Sequence, residues 1–337
     1  MPSMPTLSIL TCTRNPNPAT LRRVVEGIEA LHVPEGWNRE YILVDSASEP
    51  PLAQRTEAQL HTIRAPWARI VRATAPGLAT ARRLALRESR GELLVWLDDD
   101  NVPAPDYLEQ VVRFSAAYPH VTVWGAGTIV VEFTSAVPRW VARDMRPFFQ
   151  ERQHGRDEVG SSRGWAPYFP VGSGLVTRRA AMARWAAATE VGRYTLTGRD
   201  GARLSAGDDA QIIFGAIAAG EQVGVAAGQQ LAHLIPAFRC TTGYLSRLEF
   251  GLSASLRVAR AECFPDDPTV RRSDDLGLID AVRSALVALR SHGRSDGPRF
   301  ARFELARRFG AIAGTLQTMN RPEPAWLRAA IGVFGLR

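Results

Sequence analysis

A short apolar segment that runs straight into three aspartates constrains this chain most. Residues 92–97 (ELLVWL) have the composition of a buried strand, and Asp98, Asp99 and Asp100 follow without a break. Adjacent carboxylates repel each other by about 1 kcal/mol per pair even in water, so the cluster needs a cation. Oxygen ligands suit Mg²⁺ or Mn²⁺, which proteins hold through one or two carboxylates and substrate phosphates. Alternatively, the aspartates cap a helix that begins near Pro105, although one aspartate would suffice.

The segments around the aspartates predict an α/β fold. Apolar runs predict strands at 7–12, 41–44 and 70–72, and helical spacing or composition predicts helices at 20–31 and 80–89. This alternation is typical of a mostly parallel sheet with helices on its faces. Ligands bind such sheets at the carboxyl ends of the strands. Residues 11–14, Asp45 and the three aspartates all follow predicted strands, so they are expected to meet.

After residue 110 the alternation of strands and helices becomes less regular. We predict one or two strands over 121–133, an irregular lid-like or solvated stretch over 138–163, and a strand after residues 172–174. Helices are predicted at 180–188 and 210–219, the second opened by Asp208 and Asp209. Two apolar stripes at helical spacing, from Leu276 to Leu289 and from Leu305 to Met319, predict a helical C-terminal part.

The positive charge is concentrated near the end of the sequence. All 41 basic residues are arginine, and residues 271–337 hold 12 arginines against 6 acids, which is nearly all of the net charge of +7. Arginine pairs well with phosphate, so a phosphate-bearing substrate suits this composition. The arginines lie off the apolar stripes, which is compatible with peripheral membrane or nucleic-acid binding. Helices that pack on the rest of the protein and expose a solvated basic face are the favoured alternative.

Cysteine content and hydropathy favour a cytoplasmic protein. No uninterrupted apolar run reaches the roughly 18 residues of a membrane-spanning helix, and the first residues lack the features of a signal peptide. Cys12, Cys240 and Cys263 are far apart and odd in number, which fits neither a disulfide framework nor a zinc site. We interpret them as small apolar side chains in a reducing compartment.

Three further sites carry groups that could act in chemistry, each with a structural alternative. Asp45 ends a strand and can accept hydrogen bonds from a base or ribose, although Asp-Ser-Ala-Ser is also turn chemistry. Asp208 and Asp209 lie at a helix N-terminus, where one can act as a general base or both can simply stabilise the helix. His233 has apolar neighbours, which is more typical of a hydrogen-bonded core histidine than of a metal ligand.

Taken together, these segments resemble the family 2 glycosyltransferases, which have the nucleotide-sugar-binding GT-A fold. The resemblance covers about residues 6–255. It rests on segments 8–15, 41–48, 90–100, 172–174, 198–199, 207–209 and 233–236, with Pro103, Pro105 and Leu108. It implies a GT-A catalytic domain over 1–260 and a helical extension over 261–337. The segment from His233 to Gly251 is similar to a bacterial subgroup associated with polysaccharide assembly.

The resemblance also implies roles for individual residues. Asp98 and Asp100 occupy the DXD motif, which holds Mn²⁺ or Mg²⁺ and through it the diphosphate, and His233 matches a histidine that completes the metal site in some members. Asp209 matches the general base, and Asp99 is expected to face the sugar or ribose. The remaining donor contacts are expected from Thr11, Thr13, Arg14, Asp45 and Ser46, and the acceptor or substrate contacts from Gly172, Ser173, Asp208 and Arg239.

The chain departs from the family pattern at three places. The family usually has Pro-Thr-Tyr-Asn after its first strand, whereas this chain has Thr-Cys-Thr-Arg at 11–14. Asp208 replaces the usual glutamate before the general base, and Gly174 stands where asparagine is often found.

The expected reaction is direct displacement at the anomeric carbon of a nucleotide-diphosphate sugar, with UDP-sugars favoured. One base and no second nucleophile predict inversion. The acceptor is expected to be a glycan, a lipid-linked molecule or a small molecule, with no nucleic acid involved, in polysaccharide or glycoconjugate biosynthesis. A nucleotidyltransferase is the alternative enzyme class, but it typically needs a glycine-rich loop after the first strand, and residues 11–18 contain no glycine.

Overall fold

Ten strands form one mixed sheet in the computed structural model. The model describes residues 4–55, 63, 65–196, 198, 207–270 and 277–337. The strands run in the order β3-β2-β1-β4-β9-β6-β10-β5, while β7 pairs with β6 and β8 with β10. Their bounds are β1 Thr6–Thr13, β2 Asn38–Asp45, β3 Ala68–Arg72, β4 Leu93–Trp96, β5 Asn101–Pro103, β6 Val121–Phe133, β7 Arg152–Gln153, β8 Glu158–Gly160, β9 Leu175–Arg178 and β10 Gln222–Ile235.

Helices pack on both faces of this sheet and continue beyond it. Two large clusters of buried apolar side chains lie between the sheet and its flanking helices. The helices are α1 Pro18–Glu29, α2 Leu78–Glu88, α3 Tyr107–Ala117, α4 Arg139–Asp144, α5 Arg179–Glu190, α6 Asp208–Ala218, α7 Thr242–Cys263, α8 Leu278–Ser291, α9 Gly293–Thr318 and α10 Ala325–Phe334. The α/β architecture predicted from the alternating pattern is therefore confirmed.

The first four strands along the chain form the parallel half of the sheet. β3, β2, β1 and β4 are all mutually parallel where they pair, and their buried residues are mostly branched apolar side chains. Thr13 lies opposite Asp45 in the register of β1 and β2, so the carboxyl ends of these strands align. This alignment is what the sequence predicted for the polar groups that follow the strands.

The second half of the sheet is mixed, and it carries later residues to the end of β4. β9 is antiparallel to both β4 and β6, and β6 and β10 are parallel. β10 also pairs antiparallel with β5, which places His233 opposite Asn101. In addition, the backbone N–H of Leu234 donates to the carbonyl oxygen of Asp100 at 2.8 Å. This pairing brings His233 to the aspartates although 132 residues separate it from Asn101.

The C-terminal helices pack closely on α7, the helix that follows β10. A methyl group added to Gly310 of α9 would lie 2.2 Å from the carbonyl oxygen of Phe250 in α7, so glycine permits the approach of the two helices. Phe309 and Ile312, from the predicted stripe 305–319, are 2% exposed and contribute to the core of these helices. The predicted domain boundary after residue 260 falls within α7, and it stays a prediction.

The other predicted stripe remains at the surface. Leu276 lies outside the described residues, and Ile279, Val282, Leu286 and Leu289 of α8 are 68%, 43%, 45% and 40% exposed. The buried residues of α8 are instead the small Ala281 and Ala285. No described helix combines the length and apolar character needed to cross a membrane. All three cysteines are free, as the sequence predicted.

Candidate active site

A cleft of about 450 Å³ opens where β1, β2 and β4 end. Its wall contains segments that follow these three strands, the N-terminus of α2 and one arginine from beyond β10. The lining residues are Cys12, Thr13, Arg14, Asn15, Ser46, Gly77, Leu78, Ala81, Asp98, Asp99, Asp100, Asp208 and Arg239. Most of the residues that the sequence singled out therefore share one cavity.

The three aspartates form a tight turn that Asn101 stabilises. The Asn101 side-chain oxygen accepts from the backbone N–H of Asp98 at 3.3 Å, and its amide nitrogen donates to Asp100 Oδ1 at 2.9 Å. The following helix, α3, begins at Tyr107 with Asp106 at its N-cap position. The aspartates therefore lie in the cleft and do not cap a helix, which decides against the alternative considered from the sequence.

Asp100 is paired with an arginine and a histidine. Arg239 Nη1 donates to Asp100 Oδ2 at 2.7 Å, and His233 Nε2 lies 3.5 Å from Asp100 Oδ1. Burial by itself would raise the pKa of Asp100, but the charges and hydrogen bonds of His233 and Arg239 hold it below its usual range. His233 Nδ1 lies 2.8 Å from the carbonyl oxygen of Phe149, which fixes the ring so that Nε2 faces the carboxylate.

Asp99 has the opposite electrostatic setting. Protein atoms surround it although it keeps some contact with the cleft, and burial together with the neighbouring charge of Asp100 raises its pKa to about 7. A hydrogen bond from the Thr13 hydroxyl partly offsets this rise. The pKa of Asp99 is therefore set mainly by burial, with a smaller effect of the neighbouring charge of Asp100.

A buried ion pair connects α2 with α6. Arg82 Nη1 lies 2.5 Å from Asp208 Oδ2, and both side chains are at most 4% exposed. The guanidinium also lies over the ring of Trp96, at 5.8 Å from its centroid. The sequence analysis treated residues 80–89 only as a helix and missed Arg82. An arginine on the apolar face of a helix that also holds Ala81 and Ala85 was the available signal.

Asp209 lies at the first turn of α6, next to Gly172. A methyl group added to Gly172 would lie 3.1 Å from Asp209 Oδ2, a tight contact that glycine avoids. The neighbouring Ser173 donates its backbone N–H to the side-chain oxygen of Gln150 at 3.1 Å. Asp208 lines the cleft and Asp209 follows it directly. Gly172, Ser173 and Asp209 are thus next to the residues that line the cleft but are not among them.

The remaining predicted donor residues divide into two groups. Thr13, Arg14 and Ser46 line the cleft. Thr11 is fully buried in β1, and Asp45 is 1% exposed and accepts hydrogen bonds from the backbone N–H groups of Ser48 and Leu52 and from Arg72. Burial would raise the pKa of Asp45, but these hydrogen bonds lower it below its usual value.

Comparison with known families assigns the chain to one of them. The model of the family described as "Glycosyl transferase family 2" matches residues 8–183, slightly more than half of the chain. The chain belongs to glycosyl transferase family 2. It is therefore a glycosyltransferase, which decides between the two transferase classes that the sequence left open.

Solved structures support the fold of this glycosyltransferase. A mannosyltransferase from Pyrobaculum calidifontis, in complex with GDP-Man and Mn²⁺, is 17% identical, with 93% of this chain and 86% of that chain covered and a TM-score of 0.58. A TarS fragment from S. aureus is 12% identical over 95% of this chain and 93% of that chain, with a TM-score of 0.45. A search of curated proteins finds no match. The predicted GT-A fold class is confirmed.

The donor groups of the cleft fit a divalent cation in this glycosyltransferase. Carboxylate oxygens of Asp98 and Asp100, which both line the cleft, are hard ligands of the kind that Mg²⁺ and Mn²⁺ prefer. Within the described residues, no group of three or more His, Cys, Asp or Glu is arranged to hold a metal. One or two carboxylates together with substrate phosphates are a usual way to hold Mg²⁺.

Removing one partner of the Arg82–Asp208 pair should strongly destabilise this glycosyltransferase. Arg82→Met leaves Asp208 buried without its cation, so we expect the free energy of unfolding to fall by about 3–5 kcal/mol. The double variant Arg82→Met/Asp208→Asn removes both charges and should recover most of that loss. Chemical denaturation monitored by circular dichroism measures both. Equal stability of the single variant and the unaltered protein would contradict the assignment.

Proposed function

We propose that this glycosyltransferase moves a sugar from a nucleotide-diphosphate sugar to an acceptor hydroxyl, with a divalent cation and with inversion, in polysaccharide or glycoconjugate biosynthesis. The single observation that carries the proposal is the acidic cluster of Asp98, Asp99 and Asp100 in a cleft that Arg14 and Arg239 also line. Such a cleft can bind a diphosphate through both a cation and arginines. The mannosyltransferase of the same fold was solved with GDP-Man and Mn²⁺, which supports a donor of this class.

Donor binding is assigned to the part of the cleft between β1 and α2. Thr13, Arg14 and Ser46 offer a hydroxyl, a guanidinium and a second hydroxyl at the strand ends. Ser46 Oγ accepts from the backbone N–H of Gly77 at 3.1 Å, which holds it beside the start of α2. From the sequence resemblance a UDP-sugar is favoured. Asp45 and Thr11 stay predicted donor contacts, although both side chains are buried in this structure.

A divalent ion would be held by Asp98 and Asp100, with His233 next to Asp100. When bound, such an ion offsets the negative charge that develops on the leaving diphosphate. Arg239 contributes a second positive charge to the same wall, at 2.7 Å from Asp100. The ion and the Arg239 guanidinium would therefore both stabilise the departing diphosphate.

Asp209 is the proposed general base. It takes the proton from the acceptor hydroxyl while that oxygen bonds to the anomeric carbon and the bond from this carbon to the diphosphate oxygen breaks. The diphosphate leaves with the electron pair of the broken bond. Gly172, which has no side chain, lies beside the Asp209 carboxylate. One displacement with one base inverts the configuration of the sugar.

Replacing the base tests the catalytic assignment. We expect Asp209→Asn to lower kcat by about 100-fold to 10,000-fold, the usual contribution of general-base catalysis, while donor binding survives. Release of nucleoside diphosphate from a panel of nucleotide sugars, with glycans or water as acceptor, measures turnover. Asp280→Asn, an exposed acid of α8, is the matched control and should leave kcat unchanged. Near-normal turnover of Asp209→Asn would sink the assignment.

Replacing a proposed metal ligand tests the cation. Calorimetric titration of the unaltered protein with UDP and GDP should give at least about tenfold tighter binding with Mn²⁺ than with EDTA, a difference of about 1.4 kcal/mol. Asp100→Asn keeps the size of the side chain and should abolish this Mn²⁺ effect, since it removes a charged ligand. Identical affinities with Mn²⁺ and EDTA in the unaltered protein would count against metal dependence.

A second proposal concerns the surface of α8. Ile279 and Val287 are 68% and 62% exposed, and Arg283 of the same helix exposes 76% of its side chain. Exposed apolar residues together with arginines suit the interface of an anionic membrane. We propose peripheral contact of α8 with the cytoplasmic face of a membrane. The stripe 305–319, by contrast, is buried in the protein core and is not available for such contact.

Vesicle binding tests the membrane proposal. The unaltered protein should co-sediment with phosphatidylglycerol vesicles more than with phosphatidylcholine vesicles, and binding should weaken in high salt because screening shortens charge interactions. Ile279→Asp/Val287→Asp should reduce the bound fraction several-fold. Val191→Asp changes an equally apolar residue that is 80% exposed elsewhere and should have little effect. Equal losses in the two variants would contradict a specific role of α8.

A further inference from the structure

A second cleft adjoins the donor cleft and is unlike it in character. It has a volume of about 420 Å³, and Arg239 lines both clefts. Residues 147–150, the end of β10 and one face of α7 form its walls. The side chains that give it its character are Phe148, Trp165, Tyr244, Leu248, Glu249 and Leu252. The cleft therefore has apolar walls with one acidic group among them.

The apolar wall is built and held in place by packing. Tyr244, Leu248 and Leu252 follow each other at intervals of four residues and so lie on one face of α7. Trp165 is 60% exposed, yet its ring packs edge-on against Phe169 with centroids 5.3 Å apart. A large aromatic ring that is fixed but left open beside a cavity is typical of a surface that a ligand covers.

The two ends of the cleft differ in charge. Arg239 and His233 lie at the end that borders the aspartates. Glu249 lies on α7 about 7 Å further along the helix axis than Tyr244, at the rise of about 1.5 Å per residue. Burial raises the pKa of Glu249 to about 6. The charge of Arg307 lowers this pKa and that of Glu304 raises it. Among the described residues, no hydrogen-bond donor reaches this carboxylate.

The cleft runs next to the segment that borders the proposed base. Val171 lines it, and the next residue, Gly172, lies close to Asp209 Oδ2. Gln150 lines it as well and accepts from the backbone N–H of Ser173 at 3.1 Å. A molecule whose body lies against Trp165 and α7 would therefore have one end near the segment that borders Asp209.

We propose that this cleft is the acceptor subsite and that it selects an acceptor whose body is an apolar ring and which carries a protonated amine next to Glu249. The assignment as acceptor subsite rests on the proposed function. An ammonium group gains the carboxylate of Glu249 and the faces of Trp165 and Tyr244, which attract cations. An acceptor with a carboxylate at this position would instead meet like charge. Arg239, at the opposite end, repels the amine and so favours one orientation.

Three small probes with the same body test this proposal by ligand-observed NMR titration at neutral pH: phenylbutylamine, phenylbutanol and phenylbutyrate. The unaltered protein should bind the amine about fivefold tighter than the alcohol, the effect expected of one partly exposed ion pair, and should bind the acid most weakly. Glu249→Gln should bring the amine and the alcohol to equal affinity. Trp165→Ala should weaken all three probes, because it removes the shared apolar contact.

The controls separate this proposal from the proposed function. Glu190→Gln, an exposed acid of α5, should preserve the ranking of the probes. Both cleft variants should bind UDP and GDP as the unaltered protein does, since Glu249 and Trp165 do not line the donor cleft. Failure of the unaltered protein to bind UDP or GDP would refute the donor site but not the second cleft. Equal affinity for amine and alcohol, an unchanged ranking in Glu249→Gln, or no binding of any probe would overturn the acceptor assignment.

Discussion

Repulsion among three carboxylates at the end of a buried strand is the constraint on which the site depends. Nearby groups offset part of this repulsion: Asn101 donates to Asp100 within the turn, and the Thr13 hydroxyl donates to Asp99. Residues distant in sequence also contribute, since Arg239 and His233 both contact Asp100. The long-range partners come from the end of β10 and the segment after it. The antiparallel pairing of β10 with β5 is what carries them there. The mixed half of the sheet thus brings His233 and Arg239 to the acidic end of β4.

A second electrostatic contact lies beside the site. Arg82 and Asp208 join α2 to α6 in an almost fully buried ion pair, and Asp208 lines the cleft. A buried pair of this kind adds little net stability compared with apolar packing, but losing one partner is costly. The pair therefore acts mainly as a positional restraint on the start of α6, where Asp209 is the next residue. Asp208, the acid that departs from the family pattern, is thus the residue that fixes this end of the helix.

The C-terminal helices pack against a helix that lines the second cleft. α7 begins directly after the short turn that contains Arg239, supplies one wall of the second cleft, and packs against α9 through the close approach at Gly310. Substitutions in α9 can therefore disturb α7 and the proposed acceptor subsite without touching the proposed donor cleft. α8 stands apart from this arrangement because its buried contacts are made by small alanines and its large apolar residues face outward.

The sequence by itself determined the parallel half of the sheet, the acidic strand end and the family, because these depend on local hydrophobic patterns and contiguous motifs. Thr13, Arg14, Ser46 and the three aspartates meet because carboxyl ends of parallel strands share one edge. Only the tertiary structure decided the partners of these groups. The sequence marks Arg82 as an arginine on an apolar helix face but does not show that its partner is Asp208, 126 positions further along the chain. Nothing near Glu249 in the sequence shows that it lines an apolar cleft. Which apolar stripe is buried was equally undecidable, since periodicity identifies a helix face but not what covers it.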